Sequence, residues 1–309
     1  MDVSTKVQSI IAGRRTAAEA AAREKYIAAR ENAAFKKADD KLKQLSFKVE
    51  RERAKGELSA ALAEEERRLE AERETTLKAL GLSSADFEPK YFCPLCRDTG
   101  SLDGGACDCF KSLYIKKVKE ICNLGVSASY RFSDCNLALV KDETHKKQLK
   151  QLFTAFKNYA EKFPQNKYRN ILLLGSVGVG KSFLLSAVAN AVLDRGYFVK
   201  YLSAFELNKT LVTFHTSTNE AKAGLMEQLF DYDLLAIDDL GTEPIFRNVT
   251  REYLHLILSE RLAAGKSTFI TSNLTPEEIL DRYGERIFSR IFDKKSTLVK
   301  YILGSDLRL

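Results

Sequence analysis

The chain has no apolar run of the roughly 18 residues that a helix needs to cross a bilayer. Its opening stretch, MDVSTKVQSIIAGRR, lacks the long apolar segment and cleavage site of a secretory signal. Both absences argue against a membrane protein and for a cytoplasmic one. Proline is scarce, five in 309 residues, and none precedes Pro89, so no proline interrupts helix formation before that point. The three histidines, His145, His215 and His255, show no ligand spacing and read as ordinary residues. Tryptophan is absent, which excludes no class of function. Cysteine is concentrated instead of scattered: four of six fall within seventeen positions, unlike a secreted disulfide framework.

What remains is ordinary for a globular chain: 45% apolar residues, 29% charged, and a length that suggests two or three domains. The net charge of +7 permits contact with a polyanion without requiring it.

Three territories follow one another. Residues 1–81 are rich in Ala, Glu, Lys and Arg, which lose little entropy in a helix. Leu58, Leu62, Leu69, Leu77 and Leu80 fall near helical spacing, and Gly81 stands where a helix ends. Residues 1–55 carry 14 basic against 8 acidic side chains, and residues 56–80 carry 4 against 7. The opposite balances predict an antiparallel helical hairpin or coiled coil turning near KVERERAKGEL, an interaction arm with a narrow seam. Residues 82–125 break this pattern with Pro89, Pro94 and several glycines and read as a small loop-rich module and linker. Over residues 126–309, the runs RNILLL, YFVKYLS, DLLAIDD, STFITSN and STLVKYIL alternate with helical stretches. That alternation predicts an α/β domain, a parallel sheet flanked by helices.

Cys93, Cys96, Cys107 and Cys109 form C-x2-C, ten residues, C-x-C. Each pair sits on a turn short enough to offer both sulfurs to one ion, and four thiolates suit tetrahedral Zn2+. Pro94 and Gly104–Gly105 suit the turns. The single-residue gap of the second pair is unusual, so an iron–sulfur cluster or a redox disulfide stays open. Cys122 and Cys135 read as isolated buried thiols.

GSVGVGKS fits G-x-x-x-x-G-K-[ST] with an apolar strand before it and a helical pattern after it. Glycines let backbone N–H groups turn inward around phosphate oxygens, and the next helix presents its positive end. Gly175, Ser176, Gly178, Val179, Gly180, Lys181, Ser182 and Phe183 are the candidate nucleotide-binding set. Lys181 is expected to reach the β- and γ-phosphates, and Ser182 to help hold Mg2+. Downstream, LLAIDD reads as a buried strand ending in two carboxylates. Asp238 is expected to hold Mg2+ through water, and Asp239 to orient or deprotonate the attacking water.

With these motifs the chain resembles the AAA+ ATPases, and among them the bacterial replicative helicase loaders of the DnaC/DnaI type. The resemblance covers about residues 126–309 and extends more loosely to the cysteine module. It implies a polar sensor at Asn273, an arginine finger at Arg290 with Arg286 as the second choice, and a second sensor at Arg308 in GSDLR. It also implies an ATP- and Mg2+-dependent loader of a hexameric helicase onto single-stranded DNA, working as an ATP-dependent homo-oligomer. The helicase partner would bind the N-terminal arm. DNA would meet the region after the second strand, where Lys209, Thr210, Phe214 and Lys222 lie, unless Phe205, Leu207 and Leu211 make this simply a core helix. Asp-Asp replaces the Asp-Glu usual among AAA+ proteins, which suits slow turnover. Two alternatives stand: an IstB-like transposition helper, and an adaptor that binds nucleotide, zinc and partners without hydrolysis.

Overall fold

The structure is a computed structural model and describes residues 2–125, 128–217, 226 and 228–307. The chain divides into two compact units, residues 1–114 and 115–309.

The first unit opens with three helices: α1 (Val3–Ala29), α2 (Ala33–Lys55) and α3 (Ala60–Ala79). A two-helix reading of this region misses the break before α2. Asn32 causes it: its side-chain oxygen accepts the N–H groups of Ala34 and Phe35, a cap that starts a new helix. The expected hairpin is α2–α3. Gly56, at φ 75°, closes α2, and Ser59 caps α3. Opposite charges meet across it, Arg53 with Glu66 at 3.1 Å and Arg73 with Asp39 at 2.9 Å. Asp39 is buried and also receives the Tyr26 hydroxyl from α1, so one carboxylate ties three helices together. Burial pushes the Asp39 carboxyl up, but the hydrogen bonds from Tyr26, Arg73 and Lys43 outweigh it and hold it below its usual range. Phe35, Leu77 and Ala29 form the small core beneath, with Tyr26, Leu82 and Phe87 against it.

After a short 3-10 turn at Ser84–Phe87, the chain makes the two-residue strands β1 (Ser101–Leu102) and β2 (Gly105–Ala106). They pair antiparallel around Asp103 and Gly104, both at positive φ, the backbone such a tight hairpin needs. Helix α4 (Asp108–Cys122) carries the chain across the division between units.

The second unit is built on β3 (Asn170–Gly175), β4 (Val199–Ser203), β5 (Leu234–Leu240), β6 (Ser267–Ser272) and β7 (Thr297–Ile302). All pair in parallel, in the order β4-β5-β6-β3-β7. Strands buried on both faces read as continuous apolar runs, which is why RNILLL and LLAIDD were legible. Leu172, Leu174, Leu235 and Ile237 face one core. It is covered by α7 (Ala204–Thr216), α8 (Thr250–Ala263), α9 (Pro276–Tyr283) and α10 (Glu285–Ile291). The opposite face packs on α5 (Glu143–Lys162) and α6 (Lys181–Asp194), with Phe156 of α5 edge-on to Phe269 at 5.2 Å.

Strand order positions the site. The connection leaving β3 runs through α6 on one face, and that leaving its neighbour β6 runs through α9 and α10 on the other. Neighbouring strands whose exits diverge open a crevice at their carboxyl ends, where ligands of such sheets bind. Among the described residues no helix is long and apolar enough to cross a membrane.

Candidate functional site

The phosphate loop leaves β3 at Gly175 and ends in α6. Gly178 and Gly180 hold φ 77° and 102°, values an L side chain rarely adopts. Gly175 is required for a different reason: a Cβ there would lie 2.5 Å from the Ile302 carbonyl oxygen of β7. Lys181 is buried, and its ammonium donates to the carbonyls of Gly175 (2.9 Å) and Ser176 (2.7 Å).

The carboxylates come from an irregularity in β5. Ile237 pairs with Ile270, but Leu240 pairs with Ser272, so β5 spends one residue more than β6 over the same stretch. The surplus is a bulge, and Asp239 within it takes φ 55°. Its N–H goes to the Thr271 hydroxyl at 2.9 Å. Thr271 in turn donates to Asp238 Oδ1 at 2.6 Å, Ser182 donates to the same oxygen at 3.0 Å, and Tyr201 donates to Oδ2 at 2.7 Å. Burial, then the Asp238 charge, pushes the Tyr201 phenol well above its usual value, so it stays a donor. The two expected magnesium ligands, Ser182 and Asp238, are therefore in contact, and hydroxyl plus carboxylate is the hard-oxygen set that Mg2+ favours.

Lys181, Ser182, Asp239 and Asn273 all line one cavity of about 510 Å3, together with Gly178 and Gly180. Part of its lining is an apolar wall with Tyr130, Leu137, Val140 and Phe183. A phosphate loop with its lysine and hydroxyl, lining one cavity with aromatic and aliphatic side chains, suits a nucleotide.

Other expected residues lie elsewhere. Arg286 and Arg290 are exposed on α10 and do not line the cavity. Arg308 and Lys222 lie outside the described residues. Cys122 is a buried thiol that accepts the Val199 N–H at 3.4 Å. Cys135, expected to be buried, is only half-buried, because it stands in the cavity wall. Phe214, considered for base stacking, packs against the sheet core and edge-on to Tyr253 at 5.1 Å. Phe205, near the other end of α7 and considered as core, is 60% exposed instead. The Phe205 side chain falls on the outer face of α7, whereas Leu207 and Leu211 are buried.

Sequence reading missed four participants. Tyr201 and Thr271 reach Asp238 from neighbouring strands, and no local pattern marks them. His145 of α5, read as ordinary, is 1% exposed, with Nε2 3.3 Å from the Val179 carbonyl of the phosphate loop. Its ring leaves no room for a side chain at Gly304. Glu243 is buried just past Asp239.

In the first unit, the Sγ atoms of Cys93, Cys96, Cys107 and Cys109 all lie within 4.8 Å of one another. Cys93 and Cys107 are 3.9 Å apart, and Cys96 and Cys109 3.5 Å. Four sulfurs at about 2.3 Å from zinc make a tetrahedron with edges of roughly 3.8 Å, so the cluster fits that ion. Asp98, another residue without a sequence signal, is 2% exposed and accepts the N–H groups of Phe92 (2.8 Å) and Cys93 (2.9 Å), which shapes the first turn. Burial raises the Cys96 thiol, but the Gly100 N–H and the neighbouring thiols outweigh it and hold it down at about 6.

Comparison with known proteins finds relatives of this chain. The chain is 30% identical over 145 residues to the replicative helicase loader DnaC of Buchnera aphidicola subsp. Acyrthosiphon pisum, covering 46% of this chain and 57% of the relative. It is 31% identical over 117 residues to the replicative helicase loader DnaI of Bacillus subtilis, covering 37% and 36%. The chain thus spans well under two thirds of the length of these curated relatives. A crystal structure of the DnaC helicase loader is similar over 59% of this chain and 100% of its own, at 19% identity and a TM-score of 0.48. The family described as IstB-like ATP binding protein matches residues 130–294. That match takes in more than half of the chain and every cavity residue from Tyr130 to Asn273, and the chain belongs to the IstB-like ATP binding proteins.

Proposed function

We propose that this chain is an ATP-controlled loader that delivers a hexameric replicative helicase to single-stranded DNA. The observation that carries the ATPase part is the convergence of Lys181, Ser182, Asp239 and Asn273 on one cavity, with Asp238 hydrogen-bonded to Ser182. The relatives' names supply the loader part. In this reading Lys181 holds the β- and γ-phosphates, Ser182 and Asp238 hold Mg2+, and the apolar wall takes the base. Asp239 orients the attacking water, and Asn273 hydrogen-bonds that water or the γ-phosphate. Arg290, with Arg286 one turn before it, is delivered to a neighbouring copy as the finger, and Arg308 is the second sensor.

The division of labour follows the three territories: residues 1–81 are the helicase-binding arm, residues 82–125 the zinc module and linker, and residues 126–309 the ATPase. On α7, the exposed Phe205 and Lys209 are one helical turn apart, a pairing suited to stacking a base and holding its phosphate.

The test is retention of a purified hexameric replicative helicase on the immobilised chain, with a transposase as the alternative bait. Retention of the helicase, changed by ATP, is expected. Retention of the transposase alone would make the chain a transposition helper. Phosphate release stimulated by single-stranded DNA separates both from a non-hydrolysing adaptor.

A further inference from the structure

Just beyond Asp239 the backbone turns sharply before entering α8, and a buried carboxylate organises that turn. Glu243 is 2% exposed. One of its oxygens accepts the Gly241 N–H at 2.9 Å, and the other accepts the Tyr283 hydroxyl. Its main-chain oxygen accepts the Arg282 guanidinium. From the other side Asn208 of α7, also 2% exposed, donates to the Pro244 carbonyl at 2.7 Å and accepts the Thr250 hydroxyl at 2.7 Å.

The surroundings make this arrangement costly. Leu207, Leu211, Leu240 and Leu254 line the same small void as Glu243 and Asn208. A carboxylate among leucines is unfavourable unless fully hydrogen-bonded, and an apolar side chain would fill the space more cheaply. Packing alone therefore does not account for Glu243.

Its partners do. Gly241 is two residues past Asp239, at φ 112°, with Leu274 pressed where a Cβ would stand. Thr242 gives both its N–H (3.2 Å) and its hydroxyl (2.9 Å) to the Asp239 carbonyl. The turn held by Glu243 is thus the one that aims Asp239. Tyr283 is the last residue of α9, and Gly284, at φ 82°, then starts α10, which carries Arg286 and Arg290. Burial, then the Glu243 charge, pushes the Tyr283 phenol well above its usual value, which keeps it a donor.

We propose that Glu243 is a positioning residue for ATP hydrolysis: through Gly241 it fixes the turn that aims Asp239, and through Tyr283 it fixes the corner from which α10 departs. The inference rests on reading the cavity as an ATPase site.

The experiment measures steady-state ATP turnover with single-stranded DNA, the affinity for a fluorescent ATP analogue, and the melting temperature. The proteins are the wild type, Tyr283→Phe, Glu243→Gln and Glu243→Ala. Small displacements of a catalytic group cost up to about 100-fold, so Glu243→Ala is expected to lower kcat by about that factor and Tyr283→Phe by about 10-fold. KM and analogue affinity should stay within roughly 2-fold, since neither residue touches nucleotide. Glu243→Gln keeps an acceptor for Gly241 and a partner for Tyr283, and should recover kcat to within about 3-fold of wild type. Should Glu243→Ala fail to fold, Tyr283→Phe decides. Variants that melt earlier but keep the wild-type kcat would make Glu243 purely structural and overturn this inference alone. A wild type that binds ATP and turns over none overturns the ATPase reading and this inference with it.

Discussion

Asp239→Asn should lower the rate constant of ATP hydrolysis by a factor of about 10²–10⁴, the usual worth of a positioned general base, and leave ATP affinity unchanged. The substitution leaves the backbone geometry in place. Asp239 sits in the left-handed region at φ 55°, where most side chains are strained, but Asn tolerates it as well as Asp does. The backbone contacts that hold the bulge, from the Asp239 N–H to Thr271 and from Thr242 to the Asp239 carbonyl, do not involve the side chain. The substitution removes a carboxylate that lines the cavity. Single-turnover hydrolysis and analogue binding, measured on the same preparation, separate the outcomes. Unchanged hydrolysis would remove Asp239 from the chemistry. Lost affinity would make it a metal ligand in place of Asp238.

Stripping the metal from the cysteine cluster should unfold residues 92–110, because zinc in such modules supplies about 10 kcal/mol of apparent folding free energy. Apart from the turn built on Asp98 and two contacts from α1, Arg14 over the Phe92 ring at 4.2 Å and Gln8 to the Thr99 carbonyl at 3.3 Å, little else holds this segment. Its strands are two residues long, and its buried apolar cluster consists of the cysteines themselves. Phe92 and Leu95, which flank the first pair, are each 71% exposed and contribute little burial. Cys96→Ser should purify without zinc and be cut by protease within this segment, while the wild type carries one zinc per chain and resists. A metal-free wild type that resists equally would contradict the assignment, as would the visible absorption of an iron–sulfur cluster.

The sequence made some of this legible for identifiable reasons. RNILLL and LLAIDD are strands buried on both faces, so each is a continuous apolar run that needs no partner to be seen. The phosphate loop is local as well: Gly178, Gly180 and Lys181 act through the backbone of one turn. Residues that act across the sheet stayed hidden. Tyr201 lies 37 positions from Asp238, Thr271 33, and Tyr283 40 from Glu243, and nothing in a single chain pairs them. The cap at Asn32 was legible in principle, since Asn before a helix-forming run is a start signal. It was overridden by the uniform composition on either side. Phe205 and Phe214 show a further limit. Both look apolar in sequence, and only the packing of α7 reveals that Phe214 turns inward onto Tyr253 while Phe205 faces out. The cysteine spacing pointed to one ion, but Asp98, which shapes the turn through two N–H groups, is a single polar residue in a loop and left no pattern.

The most direct test of the account is calorimetric titration of ATP with Mg2+ into the intact, folded chain, beside Lys181→Ala. The account predicts one ATP site per chain, weakened by about 100-fold or more when the ammonium that meets the phosphates is removed. No heat of association with the wild type, or an affinity that Lys181→Ala leaves unchanged, would contradict it.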